Sequence, residues 1–206
     1  MTIVEIFTFD ATDAYVADPA GTWKDLKDSH SGLNGLLNFH HGPHVENASK
    51  GSCLVTWDKV ESFEAVTSES RQSARTQAFS LAVKGNSQLQ LFDIGTADIT
   101  KITGAPVTEL TVMKVKEGKT KADLNSIFEG LKKASEPLKA CHGFEVGWST
   151  KKGEEGTFLV LMGWDSMEDH LNSIQNVPDY SAISQASASL VDFVSMHHAK
   201  LAPVGL

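Results

Sequence analysis

TFLVLMGWDSMEDHL, residues Thr157 to Leu171, decides how the rest of the chain is read. An apolar run ends at Trp164-Asp165 and turns at once into an amphipathic helical pattern. The same transition occurs in SCLVTWDKVESF, Ser52 to Phe63. Trp57-Asp58 matches Trp164-Asp165, and Val60-Glu61 matches Met167-Glu168. Two strand-to-helix junctions about half a chain apart indicate one module used twice.

Working outward from these junctions gives the same element order on both sides. In the first half Thr2 to Phe9 is a predicted strand, with Ile3, Glu5, Phe7 and Phe9 on one face. Asp10 to Asp18 reads as a loop. Asp18-Pro19 opens a helix to about residue 31 around Trp23, Leu26 and His30. Leu36 to His41 and Cys53 to Trp57 are the next strands. Asp58, with Glu61 in the box position, is expected to cap a helix that bends or breaks near Ser68 to Ser73. Gln88 to Ile94 is the fourth strand. The second half repeats this with Val107 to Val115, a helix capped by Thr120 and Asp123 to about Leu138, then Phe144 to Trp148 and Thr157 to Trp164. A helix capped by Asp165 and Glu168 follows, interrupted at Pro178, and Leu190 to His197 is the last strand. Each half is β-α-β-β-α-β, the split-βαβ or ferredoxin-like order. The expected fold class is therefore α+β, with modules at 1–97 and 107–206 and a connector at 98–106. A four-stranded sheet with helices on one side leaves its other face open, so two such sheets are expected to cover one another as a barrel within one chain.

Composition narrows the function classes. A formal net charge of −8 with no Lys/Arg cluster argues against non-specific nucleic-acid or anionic-membrane binding. The start of the chain lacks a basic region before its apolar residues, and no apolar run approaches the ~20 residues that span a bilayer. The expectation is a cytoplasmic protein without membrane or nucleic-acid partners. Cys53 and Cys141 have neither CxxC nor zinc-finger spacing, which suits buried thiols. No GxGxxG, P-loop, HExxH or nucleophile elbow occurs, which disfavours dinucleotide, nucleoside-triphosphate and zinc-protease chemistry.

The strand order, the W-D-x-[VM]-E junctions and the interrupted helix at Asn176-Val177-Pro178-Asp179-Tyr180 resemble the dimeric α+β barrel superfamily, as two fused copies. That superfamily includes antibiotic-biosynthesis-monooxygenase-like and stress-responsive A/B-barrel proteins. The resemblance implies a small, often aromatic or polyketide-like ligand held between sheet and helices. It also implies a choice among cofactor-free oxygenation, aldol-type cyclisation, isomerisation, halide elimination, haem chemistry and a purely stress-associated role. A plant polyketide cyclase of the A/B-barrel group is similar around the broken helix, where a Pro-x-His segment supplies a catalytic histidine. Here Pro178-Asp179-Tyr180 places tyrosine there, a departure from that cyclase. The first half has Ser70 to Ala74 at this place, with neither proline nor histidine, so a single working pocket is expected in the second half.

The candidate residues follow from these placements. Tyr180, after the helix interruption, is aimed as an oxygen donor to a carbonyl or enolate, with His170 or His41 as the base. The plain alternative for each is packing with satisfied polar atoms. Glu5 and Glu109 interrupt strand sequence and are either proton acceptors or a repeated structural pair. His40 and His41 face opposite sides of a strand, so with His44 and Glu46 they make a poor metal set. His197 and His198 alternate in the same way, and a His198–Asp192 dyad needs too long a reach. The resemblance leaves haem possible, but no histidine is identifiable as its axial ligand, so haem is not favoured and neither cofactor nor metal is expected. The reading favours a cofactor-independent lyase- or cyclase-type enzyme acting on a small hydrophobic or aromatic carbonyl metabolite. Its rivals are a cofactor-free monooxygenase and a non-catalytic stress-related binding protein. The chain is expected to be a pseudo-dimer, with further homo-oligomerisation left open.

Overall fold

The structure is a computed structural model that describes residues 1–23, 32–67, 76–77, 79–176 and 178–205. It divides into two compact units, Met1–Thr96 with Ala199–Leu206, and Ala97–His198. The expected helical continuation through Leu26 and His30 and the break near Ser68 to Ser73 lie outside the described residues.

Unit 1 begins with β1 (Ile3–Ala11), α1 (Asp13–Ala17) and α2 (Pro19–Thr22), then β2 (Leu36–Pro43), β3 (Lys50–Trp57), α3 (Val60–Val66) and β4 (Val83–Asp93). In unit 2, α4 (Thr100–Thr103) precedes β5 (Val107–Val115), and a 3₁₀ turn over Lys121–Leu124 leads into α5 (Asn125–Ser135). There follow β6 (Cys141–Ser149), β7 (Thr157–Trp164), α6 (Met167–Asn176), α7 (Pro178–Ser187) and β8 (Val191–Ala199). A last short strand, β9 (Ala202–Pro203), pairs with β2 in unit 1.

Within unit 1 the strands run β4-β1-β3-β2-β9, and within unit 2 β8-β5-β7-β6. The first, second, third and fourth strands of each unit thus take the same places. The pairings β1/β3, β1/β4, β2/β3, β5/β7 and β6/β7 are antiparallel. Register repeats too: Ile3 lies opposite Trp57, and Val107 opposite Trp164. Glu5 and Glu109 therefore stand two residues along the same face from the residue opposite the tryptophan. Each fold unit is α+β and ferredoxin-like in order.

The apolar residues explain this arrangement. In β7 every residue from Thr157 to Trp164 is buried, as a continuous apolar run requires when both faces are covered. Trp164 anchors the unit 2 core with Phe158, Phe144, Leu124 and Tyr180. Trp57, Trp23, Phe9 and Tyr15 do so in unit 1. Burying one tryptophan removes ~150–250 Å² from water, about 4–6 kcal/mol before conformational entropy is counted.

Several local expectations change. The predicted loop over Asp10 to Asp18 contains α1, because Thr12 Oγ1 accepts from the Tyr15 backbone N–H and donates to the Leu81 carbonyl oxygen. Tyr15 is thereby folded into the core, edge-on to Phe9 and Trp23. Asp58 does not cap α3. Its carboxylate accepts from the Ser62 hydroxyl at 2.6 Å, and Lys59 precedes the helix without a side-chain cap. At α6 the cap moves one residue on: Ser166 Oγ accepts from the Asp169 N–H, while Asp165 pairs with His142 at 2.7 Å. The Thr120–Asp123 box forms as expected, with Asp123 accepting from the Thr120 N–H and hydroxyl. Ile99 and Ile102 of the connector are buried.

Candidate functional site

The densest polar cluster of unit 2 is built on three elements. Glu109 comes from the middle of β5, His170 from the first turns of α6 and His198 from the end of β8. Their side chains are 5 %, 2 % and 1 % exposed. Strand periodicity puts Glu109 on the face that the helices cover, and the Ser166 cap starts α6 so that His170 points down onto it.

A line of contacts joins the three. His170 Nε2 lies 3.3 Å from Glu109 Oε2, and His170 Nδ1 shares a 2.8 Å hydrogen bond with His198 Nε2. The carboxylate has further donors: Thr111 Oγ1 to Oε1 at 2.8 Å and Trp164 Nε1 to Oε2 at 3.2 Å. These supports fix both carboxylate oxygens. The His170 ring lies nearly flat on Trp164, with centroids 5.0 Å apart. A buried carboxylate held by several donors and an imidazole is a competent partner for proton transfer.

A cavity of about 70 Å³ opens beside this line, with Glu109, Thr111, His170, Tyr180, Met162 and Ile174 in its wall. Phe193 and Met196 lie on its outer side and are 58 % and 48 % exposed. Tyr180, 4 % exposed, donates its hydroxyl to Met162 Sδ at 3.4 Å. Sulfur is a weak acceptor, so little is lost if that hydroxyl turns to a better one. Burial, reinforced by the Glu109 charge and then Cys141, pushes the Tyr180 hydroxyl above its usual range and keeps it a donor.

Of the three residues expected to carry chemistry, Tyr180 and His170 wall the same cavity. His41 does not belong with them. It lies in the unit 1 core, its Nδ1 sharing a 3.2 Å hydrogen bond with the Tyr15 hydroxyl. Burial, with the neighbouring His40, lowers the His41 pKa to about 4. His44 turns to the Ser52 hydroxyl at 2.8 Å, and burial likewise lowers its pKa to about 4.

The expectation of neither cofactor nor metal is overturned. One ligand atom each from Glu109, His170 and His198 lie within 4.8 Å of one another, a set able to chelate a metal ion. Sequence reasoning considered each residue alone and missed their convergence, since His170 and His198 are 28 residues apart and share no motif. The usable signal was three polar interruptions of apolar elements in the half that also carries the broken helix. Haem does not fit here: about 70 Å³ holds a few water-sized molecules, not a macrocycle.

Unit 1 keeps half of this arrangement. Trp57 Nε1 donates to Glu5 Oε2 at 2.9 Å, as Trp164 does to Glu109. Counting from the Trp-Asp pairs, Phe63 occupies the place of His170, and it packs edge-on to Trp57. Leu91 stands directly across from Glu5 on β4. The expectation of a single working pocket in the second half is not tested by cavities alone, since unit 1 has one too. A larger cavity, about 550 Å³, lies in unit 1, lined by Glu5, Phe7, Phe79, Val83 and Leu89 with Thr67, Thr76, Ser80 and Ser87. Among the described residues that line it there is no histidine, cysteine or methionine.

Among the described residues no helix is long and apolar enough to cross a membrane. Neither a known family profile nor a curated protein matches the sequence. Solved structures do match. An anthrone oxidase-like protein is 14 % identical over all of this chain and 93 % of its own, with a TM-score of 0.70. A candidate monooxygenase from Fusobacterium nucleatum is 8 % identical over 98 % and 92 %, with a TM-score of 0.66. A chlorite dismutase from Candidatus Nitrospira defluvii, solved with imidazole, is 12 % identical over 98 % and 91 %, with a TM-score of 0.61. At these identities the likeness is one of fold. The chain has the α+β fold shared by monooxygenase-type and chlorite-dismutase structures.

Proposed function

We propose that the protein is an enzyme that oxidises a small aromatic or polyketide-like carbonyl compound in a monooxygenase-type reaction, with its reacting centre in unit 2. The observation that carries this reading is the buried Glu109–His170–His198 line beside a cavity that Tyr180 also walls. The lyase- or cyclase-type reaction gives way to it because the full-length fold likenesses include oxidase- and monooxygenase-type structures.

Each residue has a task under this reading. The Tyr180 hydroxyl leaves Met162 and donates to the substrate carbonyl oxygen. The Glu109–His170 pair takes the proton that the carbonyl activates. Thr111 and Trp164 hold the carboxylate in place as its charge changes. The resulting anion is electron-rich and passes electrons to dioxygen. For an activated methylene, one dioxygen yields one carbonyl and one water, so no external reductant is required. Phe193 and Met196 offer apolar surface for the part of the substrate that a 70 Å³ cavity does not admit. His41 has no role in this scheme.

As part of this proposal the two modules form a fused pair, the single-chain counterpart of a dimeric α+β barrel. Catalytic activity in material sedimenting at 22.3 kDa tests that arrangement.

The functional test is oxygen uptake with a panel of anthrones and hydroxylated aromatic ketones, with products identified by mass spectrometry. His170→Phe should abolish uptake, and Tyr180→Phe should lower kcat. Binding of these compounds without oxygen consumption sinks the reading. The unit 1 cavity favours a second reading, a small-ligand-binding protein, because ~300–1,000 Å³ is the usual size of a ligand pocket. Ligand affinity that falls in Glu5→Gln and not in His170→Phe would support that alternative.

A further inference from the structure

We infer that Glu109, His170 and His198 form a binding site for one divalent first-row metal ion. This deepens the reading of the same centre, but its test requires no turnover.

The donor set is the first argument. Two imidazoles and one carboxylate make an N₂O site, which suits iron, cobalt, nickel, copper or zinc better than magnesium or calcium. All three donors sit on regular elements, and the three ligand atoms lie within 4.8 Å of one another. The imidazole nitrogens already face each other at 2.8 Å. Adjacent ligands around an ion at ~2.1 Å stand about 3 Å apart, so this pair is close to its final spacing. The widest separation must contract by about 1–2 Å, within reach of side-chain rotation.

The surroundings are the second argument. Metal sites depend on outer groups that aim the ligands. Here the Thr111 hydroxyl and the Trp164 indole hold the Glu109 carboxylate, and Trp164 also fixes the His170 ring. The cavity beside the cluster leaves room for one or two small oxygen ligands.

The internal repeat is the third. Unit 1 keeps the Glu5–Trp57 pair and builds the rest of the same place from Phe63 and Leu91. An apolar solution therefore exists within this chain. Unit 2 instead sets two buried histidines there, with ring nitrogens that converge at 2.8 Å.

Binding requires a proton rearrangement. The proton now shared between His170 Nδ1 and His198 Nε2 gives way to the ion, which coordinates both nitrogens. The remaining His198 proton sits on Nδ1 and the His170 proton on Nε2, and Glu109 turns from Nε2 to bring a carboxylate oxygen to the ion.

The test is titration of metal-stripped protein with Co(II), read by visible absorption and calorimetry. One ion per chain should bind with spectra of a nitrogen/oxygen site. His198→Leu and the His170→Phe/His198→Leu pair should each lower affinity at least ~100-fold, and Thr111→Val about 10- to 100-fold. His142→Ala, which removes a half-exposed histidine of the same unit, should leave affinity unchanged. Circular dichroism checks that each variant is folded, and His198→Gln stands in if the leucine variant is not. No saturable binding at millimolar Co(II), or binding that survives the double substitution, overturns the site. Oxygen uptake by metal-stripped protein with no metal binding would reject the metal and keep the oxidase reading. Metal binding without oxidation of any probe would do the reverse.

Discussion

His170→Phe places in unit 2 the residue that unit 1 already carries as Phe63, so the chain supplies its own control. The substitution removes the 3.3 Å contact to Glu109 and the 2.8 Å contact to His198. A hydrogen bond to a charged group contributes ~1.5–3 kcal/mol, and depriving a buried polar group of a partner costs ~1–3 kcal/mol. The added phenyl surface returns about 1 kcal/mol. The expected net loss is roughly 3 kcal/mol. His198→Leu made in the same chain removes the imidazole that would be left behind and restores the unit 1 pattern of Phe63 and Leu91. The double variant should therefore be about 1–2 kcal/mol more stable than the sum of the two single changes. Urea unfolding, followed by circular dichroism and tryptophan fluorescence at constant m-value, measures the difference. Strictly additive costs would mean that the imidazoles exchange no energy, and the reasoning would fail. The double variant should also have lost Co(II) binding and oxygen uptake while regaining stability.

Tyr180→Phe removes only the weak O–H···S contact to Met162, so thermal unfolding should shift by less than ~1 kcal/mol while turnover falls; unchanged turnover rules out the donor role. The pKa values of His41 and His44, about 4 against an ordinary 6.5, mean that folding favours their neutral forms. Their contribution is fully present above pH 6.5 and is lost as pH falls toward 4, roughly 3 kcal/mol for each in the acid limit. His44→Gln should flatten the pH dependence of urea stability in that window, and a slope equal to the parent's refutes the assignment. Gly42→Ala puts a Cβ into the Lys200 carbonyl oxygen, so β9 should detach from β2 and the segment after Ala199 should become protease-sensitive. Trp57→Phe takes the indole donor from Glu5 and should cost about 2–4 kcal/mol, measured by urea unfolding.

The shared strand order of the two units was legible because Trp57-Asp58 and Trp164-Asp165 end strands buried along nearly all their length, where continuous apolar sequence has few other readings. Strand order followed from that shared pattern, and Tyr180 and His170 wall one cavity in the structure. The errors have local causes. Five residues of α1 carry too few turns to show a period, so Thr12 and Tyr15 read as loop. Asp58 and Asp165 looked like caps, but Ser62 and His142 compete for their carboxylates. His41 stands near other histidines in sequence, which says nothing about its partner in the structure, the Tyr15 hydroxyl. The Glu109–His170–His198 line was hidden because its residues come from a strand, a helix and another strand, and only tertiary packing unites them.

The divergence of the two units locates function better than their similarity does. Both keep a carboxylate under a tryptophan N–H, which fits a structural device as well as a chemical one. Unit 2 alone replaces the apolar partners with imidazoles, and it does so at sites with 2 % and 1 % exposure. Phe63 and Leu91 fill the corresponding places in unit 1 with apolar side chains. Unit 1 diverges in the other direction, toward a cavity of about 550 Å³ against about 70 Å³. Two units of one strand order, one with buried ligand atoms and the other with space, are expected when they do not share one task. If so, Glu5→Gln should alter the binding of large apolar probes without changing Co(II) affinity. His198→Leu should do the opposite, and a single substitution that changed both equally would show that the tasks were never divided.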